Sequence, residues 1–270
     1  MLDQLPLEIL HLIVGEVSCI KDLVSLSEAS KILHRSVLPS LYKTTVIRAD
    51  ESYLEHLEIP QVKPIFGTDD ERTIINILPY VKHLHFVSQI NEKTRKRCYS
   101  DGYIAHPHTK DHWRENRKSH FSSIGYMDAN VRFGLFHFPI HSLESFPWNM
   151  GCCIPPSLSG ENNWLASRQS RLKALSLVTD GTCYDDCQDF GGLLSLSHLR
   201  SFSWRGFDNK CARTKAVIRQ TLRLNTSHLE VLELEPLSDD TLEAELALWR
   251  SASVLVIYCS SQNLHRQARS

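Results

Sequence analysis

Apolar residues recur at helical spacing over the first forty or so positions and at strand spacing over much of the rest, so the change of period divides the chain in two. Leu5-Pro6 opens the first part, where proline is tolerated because the first helical turn has no use for its missing N–H. Ile9, Leu10, Ile13, Val14 and Val17 then form one apolar stripe, with Gly15 weakening the helix from within. A second helix is predicted from Lys21, with Leu23, Val24, Leu26 and Ala29 apolar. A third carries Ile32, Leu33, Val37 and Leu38 before Pro39 bends or ends it. A unit of about 40 residues buries little by itself and usually needs outside support. The pattern therefore predicts a small bundle docked on the rest of the chain, or one that keeps apolar surface for a partner.

Thr44 to Arg48 is short and β-branched and reads as a first strand, so the boundary is placed near residue 48 with little free linker. Beyond it one spacing repeats: Val81-x-x-Leu84-x-Phe86, Leu143-x-x-Phe146-x-Trp148, Leu172-x-x-Leu175-x-Leu177, Leu199-x-x-Phe202-x-Trp204 and Leu229-x-x-Leu232-x-Leu234. Val254-x-x-Ile257-x-Cys259 is a weaker sixth copy. From Leu143 the starts lie 29, 27, 30 and 25 residues apart. This resembles the period and L-x-x-L-x-L core of leucine-rich repeats, in which each strand gives alternate side chains to a core that only its neighbours can close. Intervening helices are expected where Ile124, Met127, Val131 and Leu135, then Val217, Ile218 and Leu222, then Leu242, Leu246 and Trp249 share a face. Asp240-x-x-Glu243 offers a capping-box start for the last of these. The segments around Trp164 and Leu193-Leu194 are shorter. The stretch between Val81 and Leu143 holds no clean copy and contains a polar insert at about 91–120.

The opening part resembles a second family. Leu5-Pro6-x-Glu8-Ile9-Leu10-x-x-Ile13, then Asp22-Leu23-x-x-Leu26-Ser27-x-x-Ser30-Lys31, then Val37-Leu38-Pro39-x-Leu41-Tyr42 resembles the F-box in the variant common in fungal proteins. Leu33 or a neighbour stands where many members carry tryptophan, so that anchor is smaller here. The resemblance implies binding to the Skp adaptor of a cullin–RING ubiquitin ligase, through Leu5, Pro6, Ile9, Leu10, Ile13, Leu23, Leu26 and Leu33.

Composition narrows the rest. The formal net charge is −1, and the short basic cluster Lys93 to Arg97 is no nucleic-acid footprint. No run of about 18 apolar residues is present, so a membrane span is excluded, and Asp3 and Glu8 argue against a secretory signal. The expectation is an intracellular protein, cytoplasmic or nuclear, whose eight cysteines are reduced.

His106-x-His108-x-x-x-His112, with Cys98 nearby, has imidazoles close enough for zinc but lacks a second ligand pair, and reads as a histidine-rich surface loop. Cys183-x-x-x-Cys187 among Asp180, Asp185, Asp186 and Asp189 also lacks a matching pair and reads as a loop after the Leu172–Val178 strand. The adjacent Cys152-Cys153 reads as small buried apolar residues. No metal or cofactor is expected. No G-x-S-x-G, phosphate-binding glycine loop, H-E-x-x-H or dinucleotide fingerprint occurs, so no catalytic residue is assigned and no enzyme is expected. Phe146, Trp148, Phe202 and Trp204 fall on core spacing, whereas Trp113 and Trp164 lie outside it and are the better candidates for a partner surface.

The expected architecture is α+β or α/β. A helical F-box-like domain over 1–48 precedes a curved, leucine-rich-repeat-like solenoid of parallel strands alternating with helices over 49–270. The function this implies is substrate recognition for a Skp–cullin–F-box type ubiquitin ligase, with an unknown protein as substrate. The alternatives are a non-catalytic repeat scaffold capped by the N-terminal helices, and a zinc-dependent activity in the insert. The polar end after the weak sixth copy, with no capping helix, reads as a shortened version of a longer array.

Overall fold

The computed structural model describes residues 5–49, 77–88, 128–129, 131–132, 134–151, 154–161, 164–179, 190–208, 211–236 and 255–258. Three helices come first: α1 Leu7–Gly15, α2 Ile20–Ala29 and α3 Lys31–Leu41. Pro6 sits immediately before α1, and its carbonyl accepts from the N–H groups of Ile9 and Leu10 at 3.0 and 3.1 Å. Ser30 alone separates α2 from α3. Its backbone is extended and its Oγ accepts from Leu33 N–H at 3.2 Å, which caps α3. Pro39 lies inside α3 without stopping it, since the helix runs two residues further to Leu41. The unit packs around Val14, Leu23 and Val37, with Val17, Leu26 and Leu41 against them.

Strand β1, Thr44–Ala49, follows α3 after only Tyr42 and Lys43. Six more strands follow: β2 His83–Ser88, β3 Ser145–Asn149, β4 Ala174–Val178, β5 Ser201–Phe207, β6 Val231–Pro236 and β7 Leu255–Tyr258. Together they form an all-parallel sheet whose strands lie side by side in chain order, an α/β architecture. β1 pairs with β2 along its length, so a boundary at residue 48 runs through a strand of the sheet, and the structural change falls at Tyr42–Lys43. β2 pairs directly with β3, so the long connection between them inserts no strand at that point in the sheet.

The repeated spacing becomes one buried layer. All fifteen apolar positions of the first five copies are at most 7% exposed. Register stacks them: Phe86 lies opposite Trp148, Trp148 opposite Leu177, Leu177 opposite Trp204, and Trp204 opposite Leu234. Ile47 extends this column through Phe86, so β1 contributes to the same core. The sixth copy requires a correction. Val256 and Tyr258 occupy the register positions of Leu232 and Leu234, while Ile257 aligns with Glu233. Leu255-Val256-Ile257-Tyr258 is apolar at both parities, so alternation alone could not set the phase, and a slip of one residue exchanges the two faces.

Helical segments cover the buried side of the sheet. Among residues 128–136, Val131 and Leu135 are buried. Next come α4 Pro156–Ser159, α5 Trp164–Arg168, a 3₁₀ turn at Gly191–Ser195 and α6 Ala212–Asn225, the longest helix among the described residues. α6 buries Val217, Ile218 and Leu222, as the spacing predicts. Ile124, Met127, Leu242, Leu246, Trp249 and the Asp240/Glu243 capping box lie outside the described residues. Gly192 fits where no side chain can, because a Cβ there would come within 2.4 Å of the Gly160 carbonyl oxygen. At β5 the register shifts between Arg205 and Phe207. Gly206, at φ 72°, absorbs the extra residue and lets Phe207 return to the core.

Two buried amides tie adjacent copies together. Gln169 accepts from Leu143 N–H at 3.1 Å and donates to the Pro139 carbonyl at 2.9 Å. Asn225 accepts from Leu199 N–H at 2.8 Å and donates to the carbonyls of Leu196 and Thr221 at 2.7 and 2.8 Å. Each amide satisfies the backbone at the start of the preceding copy, where the turn leaves buried polar groups without a ladder partner. Asn225→Leu is expected to destabilise the fold by about 2–4 kcal/mol, because it orphans buried backbone groups at about 1–3 kcal/mol each. Lys173→Ala, which removes an exposed ion pair to Glu144, should cost less than about 1 kcal/mol. Chemical denaturation of both variants checks the order, and equal losses would contradict it.

Candidate interaction surfaces

The helical unit presents more apolar surface than it covers. Two adjacent rows of apolar residues run along α1. Leu10 and Val14 are buried, Val14 in the small core, while Ile9 and Ile13 remain exposed. Leu5, Leu7 and Leu12 of this region are also exposed, as are Ile20 and Val24 of α2 and Ile32 of α3. These are eight of the twelve exposed large hydrophobic residues among those described, and they sit on a unit with few buried residues. Apolar patches of this sort on a small helical unit mark contact surfaces.

The eight residues singled out from the sequence divide by burial. Leu5, Pro6, Ile9 and Ile13 are exposed and share a surface. Leu10, Leu23 and Leu33 are buried and Leu26 is half-buried, with Leu23 and Leu26 in the small core, so these four are not open to a partner in this structure. Leu7, Leu12, Ile20, Val24 and Ile32 are exposed too and were not among the residues expected from the sequence at a partner surface. Their signal was present, since a short helix apolar around most of its circumference has more to bury than one neighbour can take.

The sheet supplies a second surface. Positions between the buried ones point away from the core: His83 and His85 on β2, Ser145 on β3, Ser176 on β4, Ser203 and Arg205 on β5, Glu233 and Glu235 on β6. His83 Nδ1 and Ser145 Oγ share a hydrogen bond at 2.8 Å, and Ser203 Oγ donates to Glu233 at 2.9 Å. Arg205 pairs with Glu233 and, at 3.8 Å, with Glu235. A rim of charged residues precedes the strands in register, with Glu144 paired to Lys173 at 3.3 Å and Arg200 to Glu230 at 3.0 Å.

Burial lowers the pKa of both β2 histidines. For His83 the Lys43 charge lowers it further and Glu144 opposes this, while for His85 the second cause is His83 itself. Both imidazoles are therefore neutral at pH 7.

Trp164 is not a surface residue. It is buried, and its indole N–H donates to the Leu135 carbonyl at 3.0 Å. Phe146, Trp148, Phe202 and Trp204 are buried, as their spacing requires. Trp113, the insert with Cys98, His106, His108 and His112, the Asp180–Asp189 segment with Cys183 and Cys187, and Cys152-Cys153 lie outside the described residues. Among the described residues, no three His, Cys, Asp or Glu side chains converge as a metal site, and no helix is long and apolar enough to cross a membrane. Comparison with protein-family models, with curated proteins and with solved structures finds no match for this chain.

The histidine shifts have a consequence for stability. Unfolded histidine titrates near about 6.5, so as pH falls below that value the unfolded chain binds protons that folded His83 and His85 resist. Their contribution is present at pH 7 and declines as pH drops through that window. His83→Gln with His85→Gln should flatten the fall in melting temperature between about pH 7 and pH 5. An unchanged slope, or ring resonances titrating above the free-histidine value in NMR, would contradict this.

Proposed function

We propose that this chain is the substrate-recognition subunit of a Skp–cullin–F-box type ubiquitin ligase. Its N-terminal helices dock the Skp adaptor, and a leucine-rich-repeat-like solenoid built on the parallel sheet holds a protein target. The concentration of exposed aliphatic side chains on α1 and α2 carries the adaptor half of this reading. The ordered set of three F-box-like motif blocks lies on the same helices. The regular 25- to 30-residue spacing of the later copies supports the target-binding half. Strands in chain order expose alternate side chains as a continuous surface. The chain performs no chemistry in this reading. One end holds the ligase and the other holds the target, which raises the effective concentration of one for the other.

Ile9 tests the assignment because it is exposed and central to the α1 row. Burying an aliphatic side chain is worth about 1.5–3 kcal/mol, so Ile9→Asp should weaken adaptor capture about tenfold or more. The sheet closes its own core, so the melting curve should barely move. The test is capture of the Skp adaptor by the wild-type chain and the variant, with a melting curve for each. Capture absent from the wild type, or unchanged by the substitution, would sink the adaptor assignment. No adaptor capture together with a destabilised variant is the outcome of the alternative in which these helices only cap a scaffold.

A further inference from the structure

We propose that the cleft between α2 and α3 takes an acidic side chain of the Skp adaptor, so that the adaptor covers these two helices as well as the α1 row. This rests on the adaptor half of the proposed function and adds the chemistry that the adaptor must bring to a second place on the same unit. The cleft measures about 390 Å³ and is lined by Ser27 and Glu28 of α2, by Ser30 between the helices, and by Lys31, His34 and Arg35 of α3.

Its two walls differ in charge. Lys31, His34 and Arg35 stand at positions i, i+3 and i+4 of α3, which puts them on one face of that helix. The sequence of α3, KILHRSVLPSL, contains no acid. Glu28 stands on the opposite wall, on α2, and is the one acid in the lining. Ser30 Oγ accepts from Leu33 N–H at 3.2 Å, so its own O–H is the group it can offer to the cleft. A carboxylate entering here is drawn to the α3 wall and turned away from Glu28, which selects its direction as well as its sign.

The cleft also lies at the end of an apolar row. Ile20 and Val24 are 71% and 41% exposed, and with Glu28 they recur every four residues along α2, so one stripe leads into the cleft. Ile32, 48% exposed, stands three residues before Arg35 on α3. A small anion in the cleft would leave these three aliphatic side chains in water. A protein segment lying along the row covers them and delivers its carboxylate at the end, the arrangement of an apolar centre with a charged rim. The charges then set the register of docking, and the aliphatic contacts supply most of the affinity.

The experiment titrates purified Skp adaptor against the 270-residue chain at about 0.05 M and 0.5 M salt. K31E/R35E is expected to weaken binding about tenfold or more at the lower salt. R171E/R223E, an equal change of charge at exposed positions outside the helical unit, should weaken it less than about threefold. K31R/R35K keeps both charges and should stay within about threefold of the wild type. Melting curves check that each variant folds. If the reversal does not, K31A/R35A carries the test, since alanine favours the helix while removing both cations, and it should bind about threefold or more weakly. Binding by the cation-deleted variants equal to the wild type, or equal losses in the two reversals, would overturn the cleft and leave the adaptor assignment standing. Binding absent from the wild type overturns the adaptor assignment, and this inference with it. A wild-type dimer that K31E/R35E disperses in sedimentation would give the cleft to a second copy of the chain and also overturn the inference.

Discussion

Parallel register is the constraint on which the sheet depends. Each strand sends alternate residues to one side, so pairing Trp148 with Leu177, and Leu177 with Trp204, forces every intervening residue to the other side. A slip of one position at any strand would expose its apolar set and bury its own polar one. The aromatic members tighten this. Phe86 lies 5.1 Å from Trp148, and Trp204 packs against Phe190 and Phe207 at 4.7 and 5.7 Å, so bulky rings span the space between copies. Gln169 and Asn225 fix what apolar packing leaves loose, because an amide reaching the preceding copy sets the distance between them.

That register also divides the labour of the side chains. Positions committed to the core cannot recognise a partner, and the outward positions contribute little to stability, so they are free to carry charge and hydroxyls. The sheet is therefore at once a closed core and an outward row of polar and charged residues. The helical unit follows a different rule. Its six packing residues make too small a core for its apolar content, and Ile9, Ile13 and their neighbours stay in water. In the proposed function the aliphatic surplus on the helices and the outward face of the sheet meet two different partners.

Much of this was legible in the sequence for one reason: a repeated spacing is a local statement about burial. L-x-x-L-x-L at intervals of 25 to 30 residues placed fifteen core residues, and helical spacing placed α1 to α3 and α6. The same logic assigned Phe146, Trp148, Phe202 and Trp204 to the core. It failed where both parities are apolar, as at Leu255–Tyr258, because only the pairing with β6 sets the phase there.

Tertiary structure alone decided which apolar residues are covered. Leu10 and Ile9 are adjacent on one stripe, yet Leu10 is buried and Ile9 is open. Trp164 lies off the repeat spacing and is nonetheless enclosed, because the Leu135 carbonyl accepts its indole N–H. Which charges become neighbours could not be foreseen either. Lys43 and Lys82 are 39 residues apart, and nothing local says that they will be neighbours while Lys173 finds Glu144. Sequence spacing determines what must be hidden from water; only the assembled register determines which charges stand opposite one another.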